Sequence, residues 1–203
     1  IYFRFLEDFL QLEKDIKRMP GVLNLDFSKF DQPAFFLAGW YDMFIEHILQ
    51  DFEEFQETAP EHVRKASKLV IGPWAHADKG HPEGSLLNFL KKFLNKGWFD
   101  YWLKDEKDAF PELEEPPIKY YVIGKGIWRH ANHWPPNGST ETDVYLHSNG
   151  QANSLNGDGI LTFAEPGTAE PSDRYEFDPM DPVITRGGRN LDLLKGAWDQ
   201  RKV

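Results

Sequence analysis

The sequence predicts an α/β domain followed by an all-β domain, and three observations carry this prediction. In the first half, short apolar runs at residues 33–39 and 68–71 flank a segment whose apolar residues have helical spacing. Beyond residue 117, short segments rich in β-branched and aromatic residues alternate with turn residues, as in a β-sandwich. Between the two halves, residues 105–117 are charged and proline-rich. We therefore expect one domain over residues 1–110 and a second over residues 111–203.

The central unit of the first domain is a strand–helix–strand segment over residues 33–80. Its helix has apolar residues at spacings of four, four and three, namely Phe44, Ile48, Phe52 and Phe55. A crossover of this kind has a fixed hand, so the flanking strands are expected to be parallel. Their carboxyl ends then open on the same edge of the sheet, where ligands and catalytic groups gather. One end presents Asp42 and the other presents His76.

An aspartate that precedes a histidine at two such strand ends has the order of the last two members of a Ser…Asp…His triad in an α/β-hydrolase. The carboxylate would fix the tautomer of the imidazole, and the imidazole would take and return a serine proton. Each residue also has a simpler interpretation. Asp42 is placed to cap the helix that follows, and His76 follows a strand as many loop residues do.

Two motifs resemble those of a known enzyme family. GWYDMF, followed by LVIGPWAH, is similar to the cocaine-esterase and X-prolyl dipeptidyl-peptidase family of serine hydrolases, which includes acylases and α-amino-acid ester hydrolases. The resemblance implies that Asp42 and His76 are triad members. It also implies that the fold is the C-terminal part of an α/β-hydrolase domain followed by a jelly-roll β-sandwich, here incomplete. The segments PPIKYYVIGKGIWR, HWPP and YEFDPMDPVITRGG resemble that jelly-roll domain.

Three aromatic residues near the motifs are candidates for substrate binding. The resemblance implies that Phe44 lines the acyl pocket, although Phe44 also opens the apolar face of the helix and is equally suited to core packing. Trp40 and Trp74 flank the expected site in sequence. Either they form its walls or they pack in the core.

Two further helices are predicted in the first domain. Residues 5–16 have an apolar face of about four turns, which belongs either to a cap over the active site, as the resemblance implies, or to a helix packed on the sheet. Ser85 can cap a longer helix over residues 86–103, and Gly97 inside it indicates a close helix contact. His81 competes with His76 for the catalytic role, but His76 lies nearer the strand end.

Composition excludes several classes of function. A net charge of −10 argues against nucleic acid and anionic membrane surfaces as partners, because both are bound through basic patches. There is no cysteine, so a thiolate nucleophile, a thiolate metal site and a disulfide are all excluded. No histidine has the spacing of a metal-ligand motif, and no glycine-rich phosphate loop occurs. We expect no metal and no cofactor. The compartment is not fixed, and a cytoplasmic location is the expectation.

No serine of the sequence lies in a G-x-S-x-G motif, the elbow on which an α/β-hydrolase carries its nucleophile. The resemblance implies a nucleophile well upstream of GWYD, so we expect a fragment of a longer serine hydrolase, and we expect the fragment alone to be inactive. The substrate would be a small ester or amide, or a short peptide, and a homo-oligomer is one alternative for the assembly. The competing hypothesis is a non-catalytic binding module built on the jelly-roll domain.

Overall fold

The computed structural model describes residues 25–76, 86–91, 97–154, 156–167, 169–182, 184, 187–189 and 195–199. The predicted helix over residues 5–16, the competing His81 and the expected cap residue Ser85 lie outside the described residues. None of the helices described here has the length and apolar character needed to cross a membrane.

The described part of the chain contains two β-sheets. The first has four strands in the order β1-β2-β3-β4, in which β1, β2 and β3 are parallel and β4 is antiparallel to β3. Its strands are β1 (Phe35–Tyr41), β2 (Lys68–Ala75), β3 (Ile118–Val122) and β4 (Ile127–Ala131). The second sheet is an antiparallel pair, β5 (Tyr145–His147) and β6 (Ile160–Thr162).

The described helices lie mainly in the first half. They are α1 (Ile45–Thr58), α2 (Glu61–Ala66), α3 (Leu86–Phe89) and α4 (Phe99–Lys104), with 3₁₀ turns at Phe27–Lys29 and Pro111–Glu114. The predicted strand–helix–strand unit with parallel strands is confirmed, since β1 and β2 pair in parallel on either side of α1 and α2. The single helix predicted over residues 86–103 stays a prediction, because residues 92–96 lie outside the described residues.

Both strands of the predicted unit end later than the sequence predicted. β1 continues to Tyr41 instead of ending at Gly39, and β2 continues to Ala75 instead of ending at Ile71. The apolar run in the sequence ends before Gly72 and Pro73, and proline cannot donate a hydrogen bond to the ladder. The pairing continues because the proline lies within a register shift between the two strands. All eight positions of β2 are buried, as expected for the interior strand of a covered parallel sheet.

The two faces of the sheet are covered by different clusters. On one face, Leu69 and Ile71 of β2 pack with Phe52 and Phe55 of α1. On the other face, Val70 and Trp74 pack with Phe89 of α3. The period of two along β2 sends successive side chains to opposite faces, so this one strand contributes to both clusters.

The segment PPIKYYVIGKGIWR, which the sequence predicts within the second domain, contains β3 and most of β4. β3 pairs in parallel with β2, with Leu69 opposite Ile118. The contact begins before the strand, where the Leu69 N–H donates to the Pro117 carbonyl at 2.9 Å. After the proline-rich connection, the chain therefore returns to the same sheet. The division at residue 110 stays a prediction, as does the jelly roll, of which the described residues show β5 and β6.

Candidate active site

A register shift between β1 and β2 aligns the two candidate residues. Gly39 pairs with Gly72, whereas Tyr41 pairs with Ala75, so β2 uses one more residue than β1 over this stretch. Asp42 and His76 are thus each the next residue after a paired position. Without the extra residue, Asp42 would lie opposite Ala75 in the ladder. The register shift therefore leaves Asp42 and His76 at matching positions just beyond the paired residues.

The Asp42 carboxylate contacts two groups through its two oxygens. Oδ2 lies 3.2 Å from His76 Nδ1, and Oδ1 accepts a hydrogen bond of 3.0 Å from the Phe44 N–H. The Asp42 N–H donates to the Gly39 carbonyl at 2.9 Å, which closes the turn after β1. The side chain of Asp42 is only 12% exposed. The N-cap of α1 is Phe44, without a side-chain cap hydrogen bond, so the simpler interpretation of Asp42 as the cap of this helix is wrong. The side chain of Asp42 meets His76, and its role in a triad stays a prediction.

His76 has one ring nitrogen committed to Asp42 and one available for a reaction. A carboxylate only accepts hydrogen bonds, so Nδ1 carries the hydrogen and Nε2 of the neutral ring is an acceptor. The side chain is 44% exposed, which leaves the ring accessible to a partner. This is the tautomer that a general base requires when its second nitrogen is to take a hydroxyl proton.

Phe44 lies against His76 and outside the helical core. Its ring meets the imidazole edge to face, with centroids 5.3 Å apart and an angle of 75° between the planes. Phe44 is the residue before α1 and is 46% exposed, whereas Phe52 of the same predicted face is buried. The sequence left open whether Phe44 packs in the core or borders the site. Its exposure excludes the core, and its role in binding an acyl group stays a prediction.

Trp40 and Trp74 point to opposite faces of the sheet, and their described contacts are packing contacts. The Trp40 indole donates to the Tyr121 carbonyl at 2.7 Å and lies beside the ring of Trp134. Trp74 is almost fully buried against Phe89 and Trp128. Of the two alternatives, packing is what the described contacts favour, and substrate binding by either residue stays a prediction.

Two charged residues near these elements were not anticipated. Lys68, placed by the sequence at the mouth of β2, is 4% exposed and donates through Nζ to the carbonyls of Leu113 and Glu115. Burial lowers the pKa of its ammonium. Glu46, in the first turn of α1, forms an ion pair with Arg189 at 2.6 Å. Nothing in the local sequence predicts contacts over such separations.

The remaining candidates do not form a second site in the described part of the chain. His47 and His62 are exposed on α1 and α2. Within the described residues, no group of three His, Asp or Glu side chains is arranged to hold a metal ion. A groove of about 410 Å³ lies between α1, α2 and the loop after β4, and none of its lining residues belongs to the Asp42–His76 region.

Comparison with known proteins finds a matching family model and a curated relative. Residues 15–78 match the model of the X-Pro dipeptidyl-peptidase (S15) family, a span that includes both Asp42 and His76. The chain is 32% identical over 181 residues to the cocaine esterase of Rhodococcus sp. (strain MB1 Bresler), which covers 84% of this chain.

A solved structure shares the fold. The aminopeptidase from the marine sediment archaeon Thaumarchaeota archaeon aligns over 77% of this chain with a TM-score of 0.54 and 23% sequence identity. The chain spans only part of both relatives, 30% of the cocaine esterase and 25% of the aminopeptidase chain.

Proposed function

The chain belongs to the X-Pro dipeptidyl-peptidase (S15) family, and from that premise we propose that it supplies the acid and the base of a Ser-His-Asp triad that cleaves ester or amide bonds. The observation that carries the proposal is the 3.2 Å contact between Asp42 Oδ2 and His76 Nδ1 at the ends of two adjacent parallel strands. Carboxyl ends of parallel strands are where α/β enzymes build their active sites.

In the proposed mechanism, His76 Nε2 accepts the proton of a serine hydroxyl as the hydroxyl oxygen attacks the substrate carbonyl. His76 then returns the proton to the leaving alcohol or amine. Asp42 holds the ring in the required tautomer and stabilises the imidazolium that forms during attack. The hydrogen bond from the Phe44 N–H to Oδ1 supports this role, because it fixes the carboxylate so that Oδ2 faces the ring.

The nucleophile belongs, in this proposal, to a segment that precedes the 203 residues in the full-length protein. None of the serines of the sequence has the G-x-S-x-G context of a nucleophile elbow. The backbone donors of the oxyanion hole would accompany that elbow. The 203 residues alone would then bind substrate poorly and turn it over no faster than the solution reaction.

The fold is proposed in the same way to be the C-terminal part of an α/β-hydrolase domain, followed by the beginning of a jelly-roll β-sandwich. The parallel arrangement of β1, β2 and β3 supports the first part. The antiparallel pair β5 and β6 supports the second.

The proposed substrates are small esters or amides, or short peptides. One matched relative is a cocaine esterase, and the matched family is the X-Pro dipeptidyl-peptidase family. Both reactions replace a leaving group at a carbonyl carbon by water, so one triad serves either class.

The experiment measures hydrolysis of an aryl ester by the full-length protein and by two histidine variants. His76→Ala is expected to lower kcat by a factor of about 10⁴ or more, because a triad without its base loses most of its rate enhancement. His62→Ala removes an exposed histidine from α2 and is expected to match the wild type. Equal activity of the two variants would refute the catalytic role of His76 and would favour a binding module instead.

A further inference from the structure

Two glycines of the recognisable motifs face each other across the sheet. Gly39 of β1 pairs directly with Gly72 of β2 in the parallel ladder. Neither has the left-handed backbone that often explains a glycine, since positive φ angles occur at other glycines of the described chain but not at these two. Glycine inside a strand without such an angle usually marks a close approach of another group.

The group that approaches both glycines is Trp74. A Cβ atom added to Gly72 would lie closer than 3.0 Å to three carbon atoms of the six-membered ring of Trp74. A Cβ added to Gly39 would lie within 3.0 Å of both the Trp74 carbonyl oxygen and the indole Cδ1. The indole therefore lies flat over the glycine pair, and any larger side chain at either position would displace it.

The contact of Trp74 with the two glycines lies at the bulge that precedes His76. The extra residue of β2 falls between Gly72 and Ala75, which is the stretch that contains Trp74. Trp74 is 2% exposed and is held from outside by Phe89 and Trp128. A ring clamped between the glycine pair and these aromatic residues fixes the path of β2 just before His76.

We propose that Trp74, seated on Gly39 and Gly72, is a positioning residue that sets the bulge and thereby the Asp42–His76 contact. It acts through the backbone of β2 and does not touch the substrate. This inference rests on the proposed function for its effect on catalysis. It goes beyond that function because it explains why glycine occupies positions 39 and 72 and tryptophan occupies position 74. In this account Trp74 does not line the pocket but fixes the register between β1 and β2.

The structure predicts that truncating Trp74 relieves a substitution at Gly72 but not one at Gly39, because different atoms of Trp74 would clash at the two positions. At Gly72 the three nearest atoms all belong to the Trp74 side chain, so truncating that side chain removes the clash. At Gly39 the nearest atom is the backbone carbonyl oxygen of Trp74, which truncation leaves in place. Gly167 offers a matched control, since a Cβ there would meet nothing within 4 Å.

The test uses the full-length protein and measures kcat, KM and the proton NMR signal of the His76 Nδ1–H. Gly72→Ala is expected to lower kcat by about 100-fold with a smaller change in KM, because misplacing a catalytic group by about 1 Å costs about that factor. The NMR signal is expected to shift or disappear. The double variant Gly72→Ala/Trp74→Ala is expected to recover to the activity of Trp74→Ala alone. Gly39→Ala/Trp74→Ala is expected to stay as impaired as Gly39→Ala.

Three results would overturn the inference. The first is Gly72→Ala with the kcat and NMR signal of Gly167→Ala, and the second is a Gly72→Ala/Trp74→Ala variant that is less active than Trp74→Ala alone. The third is a Trp74 substitution that changes KM and leaves kcat unaltered. The third result would indicate that Trp74 lines the substrate pocket. The proposed function is tested separately by His76→Ala, which would retain activity if that function were wrong. The NMR signal of the glycine variants would still report whether the Asp42–His76 contact depends on Gly39 and Gly72.

Discussion

Asp42 Oδ2 lies 3.2 Å from His76 Nδ1, although 34 residues separate the two positions. The intervening residues form two helices that cross from the end of β1 to the start of β2, so both residues stand at the same edge of the sheet. The second oxygen of Asp42 is held by the backbone of Phe44, which leaves the carboxylate little freedom to rotate. A pair held from both sides in this way is suited to orient a general base.

The first prediction concerns the charge of Asp42. Asp42→Asn preserves the hydrogen bond from the Phe44 N–H, but the amide group can also donate, which permits the tautomer with hydrogen on Nε2. We expect kcat/KM of the full-length protein to fall by about 10⁴, while stability changes by less than about 1 kcal/mol. Ester hydrolysis and thermal unfolding are the measurements. Asp31→Asn, at an exposed position, serves as control. A variant with wild-type kcat/KM would show that Asp42 is only a turn residue.

The second prediction separates Phe44 from the core residue Phe52. Phe44→Ala removes a side chain that is 46% exposed and is expected to cost less than about 1 kcal/mol in free energy of unfolding. Phe52→Ala removes a ring that is 3% exposed, so the expected cost is about 3–5 kcal/mol. Denaturant unfolding measures both. If Phe44 borders the acyl site, Phe44→Ala also changes the ratio of KM values for short and long acyl esters. Equal destabilisation by the two variants would contradict the exposed position of Phe44.

The third prediction concerns the buried ammonium of Lys68. Lys68→Met keeps most of the aliphatic chain but leaves the carbonyls of Leu113 and Glu115 without this donor. We expect a loss of about 1–3 kcal/mol in the free energy of unfolding. Lys65→Met breaks only an exposed ion pair with Glu61, for which a smaller loss of stability is expected. Equal stability of the two variants in urea would show that Lys68 does not hold the connection before β3.

The fourth prediction concerns the pH dependence of the second sheet. His147 of β5 contacts Glu170 Oε1 at 2.6 Å through Nδ1 and the Ala164 carbonyl at 2.8 Å through Nε2. The Glu170 carboxylate, and then the carbonyl, raise the pKa of His147 above its ordinary value of 6.5. A raised pKa means that the stabilisation is fully present below pH 6.5 and is lost as the pH rises through the folded-state pKa.

The measurement compares the stability of the wild type and Glu170→Gln at two pH values. The difference is expected to be larger at about pH 6, where the imidazolium is present, than at about pH 9. An NMR titration of His147 is expected to show the raised pKa in the wild type and a lower one in the variant. Glu176→Gln, at an exposed position, is the control. A stability difference that is the same at both pH values would contradict the prediction.

The sequence was sufficient for features that depend on local patterns. The apolar runs and the helical spacing of Phe52 and Phe55 predicted the parallel unit, because burial of one helix face and of a continuous strand leaves a direct periodic signal. That unit, with the motifs at its ends, also indicated that Asp42 and His76 would meet. The family assignment suggested by the same two motifs is confirmed by the comparisons.

Other features depend on contacts that no local pattern records. The bulge in β2 follows from the space that Trp74 needs above Gly39 and Gly72, so it depends on two strands at once. The pairing of β3 with β2 could not be predicted from β3 alone, because its β-branched and aromatic composition suits either sheet. The ion pair of Glu46 and Arg189 could not be predicted from local sequence either, because its partners are 143 positions apart.

The central claim is that Asp42 and His76 activate a serine of the same protein. The most direct measurement is the rate at which a fluorophosphonate ester labels the full-length protein, followed by mass spectrometry to identify the modified residue. We expect one serine to be labelled in the wild type and the rate to fall by about 10³ or more in His76→Ala, because the hydroxyl then lacks its base. Labelling at the same rate in both proteins, or no labelled serine in the wild type, would contradict the claim.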